Sequence, residues 1–449
     1  MCAPIQRVFK ELARNTTRMG QPIGAGACRC YPAPVGLAGS NKDILDERRW
    51  VGCSGRLSNV ATVQRSLRAL PEGTQMAQLW VWDSLLPLLP ADIFSSVRPV
   101  ALVVESSSLV QLRAGVFRPL ADSLRDLQLK SNALKSESLI QADGKSVLAP
   151  LKQLRKLDLS GNHLLTLDAR ALMGLDKLET LTLERNDLST IEKGAFRGLS
   201  SLKRLNLARN WLTKITRGTF EGLTSLEVLD LEKNHILEID PAAFQGLKNL
   251  KVLKLGGNQL RRLDLSASVP LLEQLLLNNN SFEDVWEILL SSATSAALRV
   301  LSLDQNRLRR LDTLSWGQLS NLKVLTVSRN KIEALQAGCF RSLAKLESLT
   351  LQNNSIASID PETFLDTPKL QRLFLSQNRL QGLHSGAFKG LEKLRILALS
   401  KNRLSTIRTK SFEGLKALER LFLDDNRLAS LENGTFKPIE KSLQVADLS

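Results

Sequence analysis

Residues 370–380 read LQRLFLSQNRL and residues 418–428 read LERLFLDDNRL. Each has leucine at positions 1, 4, 6 and 11 and asparagine at position 9. The stretch between them, LRILALSKNRL at 394–404, keeps the same frame, so the step is 24 residues. Working outward, the frame recurs as LESLTLQNNSI at 346, LKVLTVSRNKI at 322, LRVLSLDQNRL at 298, LEQLLLNNNSF at 272 and LKVLKLGGNQL at 250. It continues upstream as LEVLDLEKNHI at 226, LKRLNLARNWL at 202, LETLTLERNDL at 178, LRKLDLSGNHL at 154 and LRDLQLKSNAL at 124. Weaker copies begin near 76 (MAQLWVWDSLL) and 99 (PVALVVESSSL), giving fifteen complete units and the start of a sixteenth at Leu443.

Alternation sends positions 4 and 6 to one side of a short strand and positions 3, 5 and 7 to the other. One unit cannot bury its leucines alone. Stacked units pair their strands in parallel, roughly 4.8 Å apart, and close a continuous core. Two columns reinforce the stack. Asparagine fills position 9 in thirteen of fifteen units, from Asn132 to Asn426. A buried amide there is expected to bond the backbone of its own turn and of the next repeat, sparing about 1–3 kcal/mol per group. Phenylalanine fills position 19 as Phe94, Phe117, Phe196, Phe220, Phe244, Phe340, Phe364, Phe388, Phe412 and Phe436, a spine under the convex side. Phe282 replaces a core leucine.

These units resemble the leucine-rich repeat family, and the resemblance covers residues 76–449. It implies an α/β-type repeat solenoid, a horseshoe with a parallel sheet on its concave face and mostly irregular or short helical segments on its convex face. The unit length and the phrase F-x-G-L (AFRGL, TFEGL, AFQGL, AFKGL) are similar to the extracellular animal subclass of Slit, Toll-type ectodomains, chaoptin and the acid-labile subunit. Residues 25–75 resemble the cysteine-rich N-terminal cap of that subclass, and 1–24 read as an atypical, disordered leader. The cap pattern has four cysteines; Cys28, Cys30 and Cys53 match the last three. The resemblance then implies a Cys28–Cys53 disulfide and leaves Cys30 either unpaired or joined to Cys2. Cys339, beside Phe340, reads as a buried free thiol.

Oxidised cap cysteines imply a secretory route and an extracellular or cell-surface location. Against this, Arg7, Lys10, Glu11 and Arg14 break any signal-peptide core. With LQVADLS ending mid-strand at 449, the sequence reads as a fragment. No run of about 18 apolar residues exists to span a membrane. The unit at 124 is 30 residues long, and those at 250 and 272 run 22 and 26 residues and lose the spine phenylalanine. Such a zone is drift in a tolerant solenoid, or alternatively a hinge or contact site.

The chain of 449 residues carries a net charge of +16, and from Leu298 onward there are 24 Lys+Arg against 15 Asp+Glu. That excess suits an acidic partner. Chemistry is another matter. The three histidines, His163, His235 and His384, have no cysteine or carboxylate pair at ligand spacing, and no nucleophile-elbow, zincin, phosphate-loop or dinucleotide motif occurs. The reading is therefore not an enzyme, with no cofactor and no metal. Nucleic-acid binding is disfavoured too, because basic residues are not interleaved with aromatics on one element.

Recognition remains. The resemblance places protein binding on the concave sheet, paved by positions 2, 3, 5, 7 and 8. Phe374 and Phe422 share position 5, with Ala398 between them and Arg372, Arg395, Ile396 and Arg420 around them. Aromatic and arginine anchors of this kind dominate protein interfaces. Trp80 and Trp82 form a second candidate ligand surface, unless the N-terminal cap covers them. The alternative function is a matrix-type protein that binds sulfated, heparan-type polysaccharide along position 10, where Arg307, Lys331, Arg379, Arg403 and Arg427 align, broken by Ser355. Glycosylation sequons stand at Asn15, Asn279, Asn353 and Asn433.

Overall fold

A computed structural model describes residues 21–22, 28–31, 50–54, 59–311, 316 and 319–449. The expectations for Cys2, Asn15, the side chain of Cys30 and most of the leader lie outside the described residues. Two compact units divide the chain: Met1–Asn210 with Glu221–Leu223, and Trp211–Phe220 with Thr224–Ser449.

Each unit is a parallel-strand solenoid with little helix. In the first, sheet strands Thr74–Trp82, Val97–Glu105, Asp126–Gln128, Lys156–Asp158, Thr180–Thr182 and Arg204–Asn206 pair in parallel, each on the one before. In the second, ten strands run from Val228–Asp230 to Val445–Asp447 with the same parallel register. Most strands are only three residues long, because the inward leucines at positions 4 and 6 allow one short crossing per turn. On the other side of each turn lie two-residue strands such as Thr166–Leu167 paired with Thr190–Ile191. The described α-helices are Val60–Arg68, capped by reciprocal bonds between Asn59 and Thr62, and the short Ser292–Ala297.

At the N-terminal end, Trp50–Ser54 joins Thr74–Trp82 in parallel, and Cys28–Tyr31 joins Trp50–Ser54 antiparallel. Cys28 and Cys53 are direct cross-strand partners and are bonded through their sulfurs.

The leucine columns are buried through the middle of the array, where Leu370, Leu373, Leu375 and Leu380 are all 0% exposed, and open at its last turns, where Leu428 and Leu443 are half-buried and Leu448 is 49% exposed. Burying one such side chain stabilises by about 1.5–3 kcal/mol. The asparagine column works differently from the expectation. Asn378 Oδ1 accepts the Ile356 N–H at 3.1 Å, and Nδ2 donates to the carbonyls of Leu351 (3.0 Å) and Leu375 (2.9 Å). Leu351 and Ile356 belong to the preceding repeat, not the next one. The amide thus ties its own turn to the turn behind it, and Asn402 and Asn330 do the same.

The phenylalanine spine is buried apart from the half-buried Phe436. Its rings stack in series, with centroids 5.6 Å apart for Phe340–Phe364 and 6.4 Å for Phe388–Phe412. Trp316 is an unanticipated member, 1% exposed and stacked on Phe340. Where the spine lapses, Ser268 and Thr294 are buried instead, and the Thr294 hydroxyl donates to the Ser268 carbonyl.

Position 8 has a backbone role that the sequence hides. From Asp83 to Asp425 it adopts positive φ in all fifteen repeats, including Arg185 (55°), Lys233 (54°) and Gln377 (59°). Here the chain leaves the sheet by a left-handed step, normally a glycine conformation. Gly161 and Gly257 occupy it without a Cβ penalty.

Candidate binding surfaces

The last repeats of the second unit bring the anticipated sheet-face residues together. Register places Arg372, Ile396 and Arg420 in one row and Phe374, Ala398 and Phe422 in the next. Each phenylalanine is flanked by inward leucines, so its ring lies on the outer side of the sheet and is half-buried. Ala398, between them, is only 6% exposed. The two rings stand two strands apart, roughly 10 Å, over a continuous apolar floor that Ile396 extends.

Charges around this floor are unevenly matched. Arg395 meets Glu419 at 3.7 Å, and Lys401 meets Asp425 at 3.8 Å. The Ser400 hydroxyl donates to Asp424. Arg372 donates from Nε to the Ser348 hydroxyl at 3.4 Å, and both Arg372 and Arg420 are exposed. At the sheet margin, Arg307, Lys331, Arg379, Arg403 and Arg427 are exposed at position 10. Backbone bonds such as Arg403 N–H to the Leu380 carbonyl (2.9 Å) hold that column in step with the strands. Among the described residues none of these five cations has an ion pair.

Trp80 and Trp82 do not offer an open surface. They are 4% and 5% exposed and pack with Val103 and Trp50, their ring centroids 4.5 Å apart. Alternation puts these rings on the outer side of the strand, but here that side is covered, so the proposed contact is corrected: the pair is core. The same sheet face holds carboxylates. Glu105 is buried against Lys130 at 3.2 Å, and burial pushes the Asp126 carboxyl above its ordinary range.

Asn279 and Asn353 are exposed at the left-handed position 8 (φ 54° and 55°), and Asn433 is exposed as well. Cys339 is fully buried, and burial pushes its thiol up to about 12. Among the described residues no group of three or more His, Cys, Asp or Glu could hold a metal, and no helix is long and apolar enough to cross a membrane. Sequence reading missed two exposed tryptophans, Trp211 (56%, stacked on His235) and Trp286 (61%). The first sits at position 10 and the second in an irregular unit, so a search confined to sheet-face positions passes over both.

The leucine rich repeat family profile matches residues 136–188, 177–236, 224–282, 296–356, 344–404 and 392–444, well over half of the chain. Among curated proteins, P-granule-associated novel protein 1 of Caenorhabditis elegans is 32% identical over 157 residues, 35% of this chain and 23% of that protein's length. The TLR13 structure in complex with ssRNA13 superposes with a TM-score of 0.73 at 22% identity, covering 87% of this chain and 56% of that one. Toll in the Drosophila Toll–Spatzle complex gives 0.69 at 22% identity, covering 91% and 54%. The chain therefore spans about half of those structures and under a quarter of that relative. It belongs to the leucine rich repeat family, and each of its units is built as a parallel-strand solenoid.

Proposed function

We propose that this chain is the recognition part of a secreted or cell-surface protein, a receptor or adhesion ectodomain, and that it docks a protein ligand or co-receptor on the sheet face around Phe374 and Phe422. The observation that carries the reading is the pair of half-buried rings on either side of Ala398, with Arg372 and Arg420 exposed beside them. Tryptophan, tyrosine and arginine lead interface hot spots, and phenylalanine is also enriched at interface cores. The Cys28–Cys53 bridge supports an oxidising compartment. The Toll structure, seen with Spatzle, is a fold-level parallel for a protein ligand. The role is binding rather than catalysis and calls for no cofactor.

A second reading has its own support. Arg307, Lys331, Arg379, Arg403 and Arg427 form an exposed cationic column at strand spacing, without an ion pair among the described residues, which suits a sulfated polysaccharide. Binding to immobilised heparin and to candidate protein ligands, each measured from low to high salt, separates the two. Polyanion binding falls steeply with salt and is lost in Arg379→Ala/Arg403→Ala. Aromatic-centred protein binding persists in salt and drops by about 2 kcal/mol when either Phe374 or Phe422 becomes alanine. An intact ligand affinity in Phe374→Ala/Phe422→Ala retires the sheet-face site.

A further inference from the structure

Residues 282–290 hold an outward knob. Phe282 and Val285 are buried at 0% and 4%, whereas Trp286 between them and the strand Ile288–Leu290 is 61% exposed. Leu289, on that strand, is 46% exposed. The segment is acidic. Glu283 is exposed, Glu287 accepts the backbone N–H groups of Glu283 and Asp284 (2.9 and 3.2 Å), and Asp284 faces Arg310 at 3.6 Å.

Ile288–Leu290 pairs in parallel with Leu263–Leu265, and on the far side of that strand lies a groove of about 450 Å³. Leu237, Ile239 and Pro241 give it an apolar wall, with Leu237 58% exposed. Arg261 and Arg262 form the other wall; both are exposed and without an ion pair among the described residues. Of the groove's carboxylates, Asp264 accepts the backbone N–H and hydroxyl of Ser266, and Glu238 stands opposite Lys214 in the register. The acidic knob thus complements the arginine wall of the groove rather than the groove as a whole, whose two carboxylates balance its two arginines, and knob and groove share an apolar character; both lie in the second unit.

The geometry points to a second copy of this chain as the groove's occupant, in a twofold dimer where Trp286 of each copy enters the other's groove and Glu283 meets Arg261 and Arg262. A twofold interface requires one patch to be complementary to itself, and an adjacent knob and groove satisfy that condition. Tryptophan and arginine are the side chains that anchor such contacts. Two chains of net charge +16 repel each other over most of their surface. The acidic knob is a place where they can approach. This surface lies outside the Phe374–Phe422 face, so it stands independently of the proposed ligand site.

The test is sedimentation equilibrium of the full chain from about 1 to 100 μM, with melting temperatures for every variant. The wild type is expected to dimerise with concentration. Arg261→Glu/Arg262→Glu and Glu283→Arg are each expected to be monomeric, because like charges then face each other in both contacts. Mixed in equal amounts, the two variants regain opposite charge in both contacts and are expected to dimerise. Trp286→Ala is expected to weaken dimerisation at least tenfold with an unchanged melting temperature. A wild type that stays monomeric throughout overturns the proposal, as does a folded mixture that fails to associate, or variants that dimerise like the wild type.

Discussion

Trp316 stacks on Phe340 with centroids 6.5 Å apart and planes 20° from parallel, and its indole N–H donates to the Cys339 carbonyl at 2.6 Å. The larger ring therefore does the work of a spine phenylalanine and adds a bond to the next turn. Trp316→Ala is expected to cost about 3–5 kcal/mol. Trp316→Phe keeps the stack and gives up the hydrogen bond, a smaller loss on the order of 1 kcal/mol. Urea midpoints of the two variants check the order; equal losses would remove the hydrogen bond from the account.

Asn378→Ala leaves the Ile356 N–H without its partner inside the stack, while the Leu351 carbonyl keeps its bond from Asn354 Nδ2 at 3.0 Å. The expected loss is about 1–3 kcal/mol for the buried group left unpaired. Amide hydrogen exchange offers the sharper measurement: Ile356 should lose protection more than the neighbouring sheet amides do.

Cys339 gives a pH-dependent prediction. Its folded thiol titrates at about 12 against an ordinary 9.0. Between those values the unfolded chain releases the proton and the folded chain keeps it. Stability from this group is thus complete below pH 9.0 and falls as pH rises toward 12. The slope is about 1.4 kcal/mol per pH unit. Cys339→Ala should remove that alkaline slope. In the native protein at pH 8 the thiol should resist a disulfide reagent and react only after denaturation.

How much of this was legible beforehand depends on what a column repeats. Leucine, asparagine and phenylalanine recur as residue types, so the period exposes the core, the amide ladder and the spine. Trp316 keeps the place but changes the type, and counting 24 residues from Trp316 to Phe340 would have found it. Trp80 and Trp82 mark a different limit: alternation assigns a side of the strand but does not say what lies over it. Position 8 marks a third. Arg185, Lys233, Gln377 and Asp425 share a backbone angle and no side-chain chemistry. At Phe374 and Phe422 the pattern sufficed, because register alone sets one ring beside the other across Ala398.

Asn433 is expected to carry a glycan in protein secreted from animal cells, since its side chain is exposed and Thr435 completes the sequon. Peptide mapping with and without glycosidase reads its occupancy. Glycans at Asn279 or Asn353 would stand at the sheet margin, so their occupancy should lower ligand affinity, and enzymatic removal should restore it. A bare Asn433 in secreted material would count against the extracellular reading.

The backward reach of the asparagines gives the stack a direction. Asn330, Asn354, Asn378 and Asn402 each donate to the carbonyl at position 6 of the repeat before their own. The ribosome makes the chain in that same order. By the time an asparagine leaves the exit tunnel, the carbonyl it needs has already been synthesised, and the turn behind can be fastened without waiting for anything downstream.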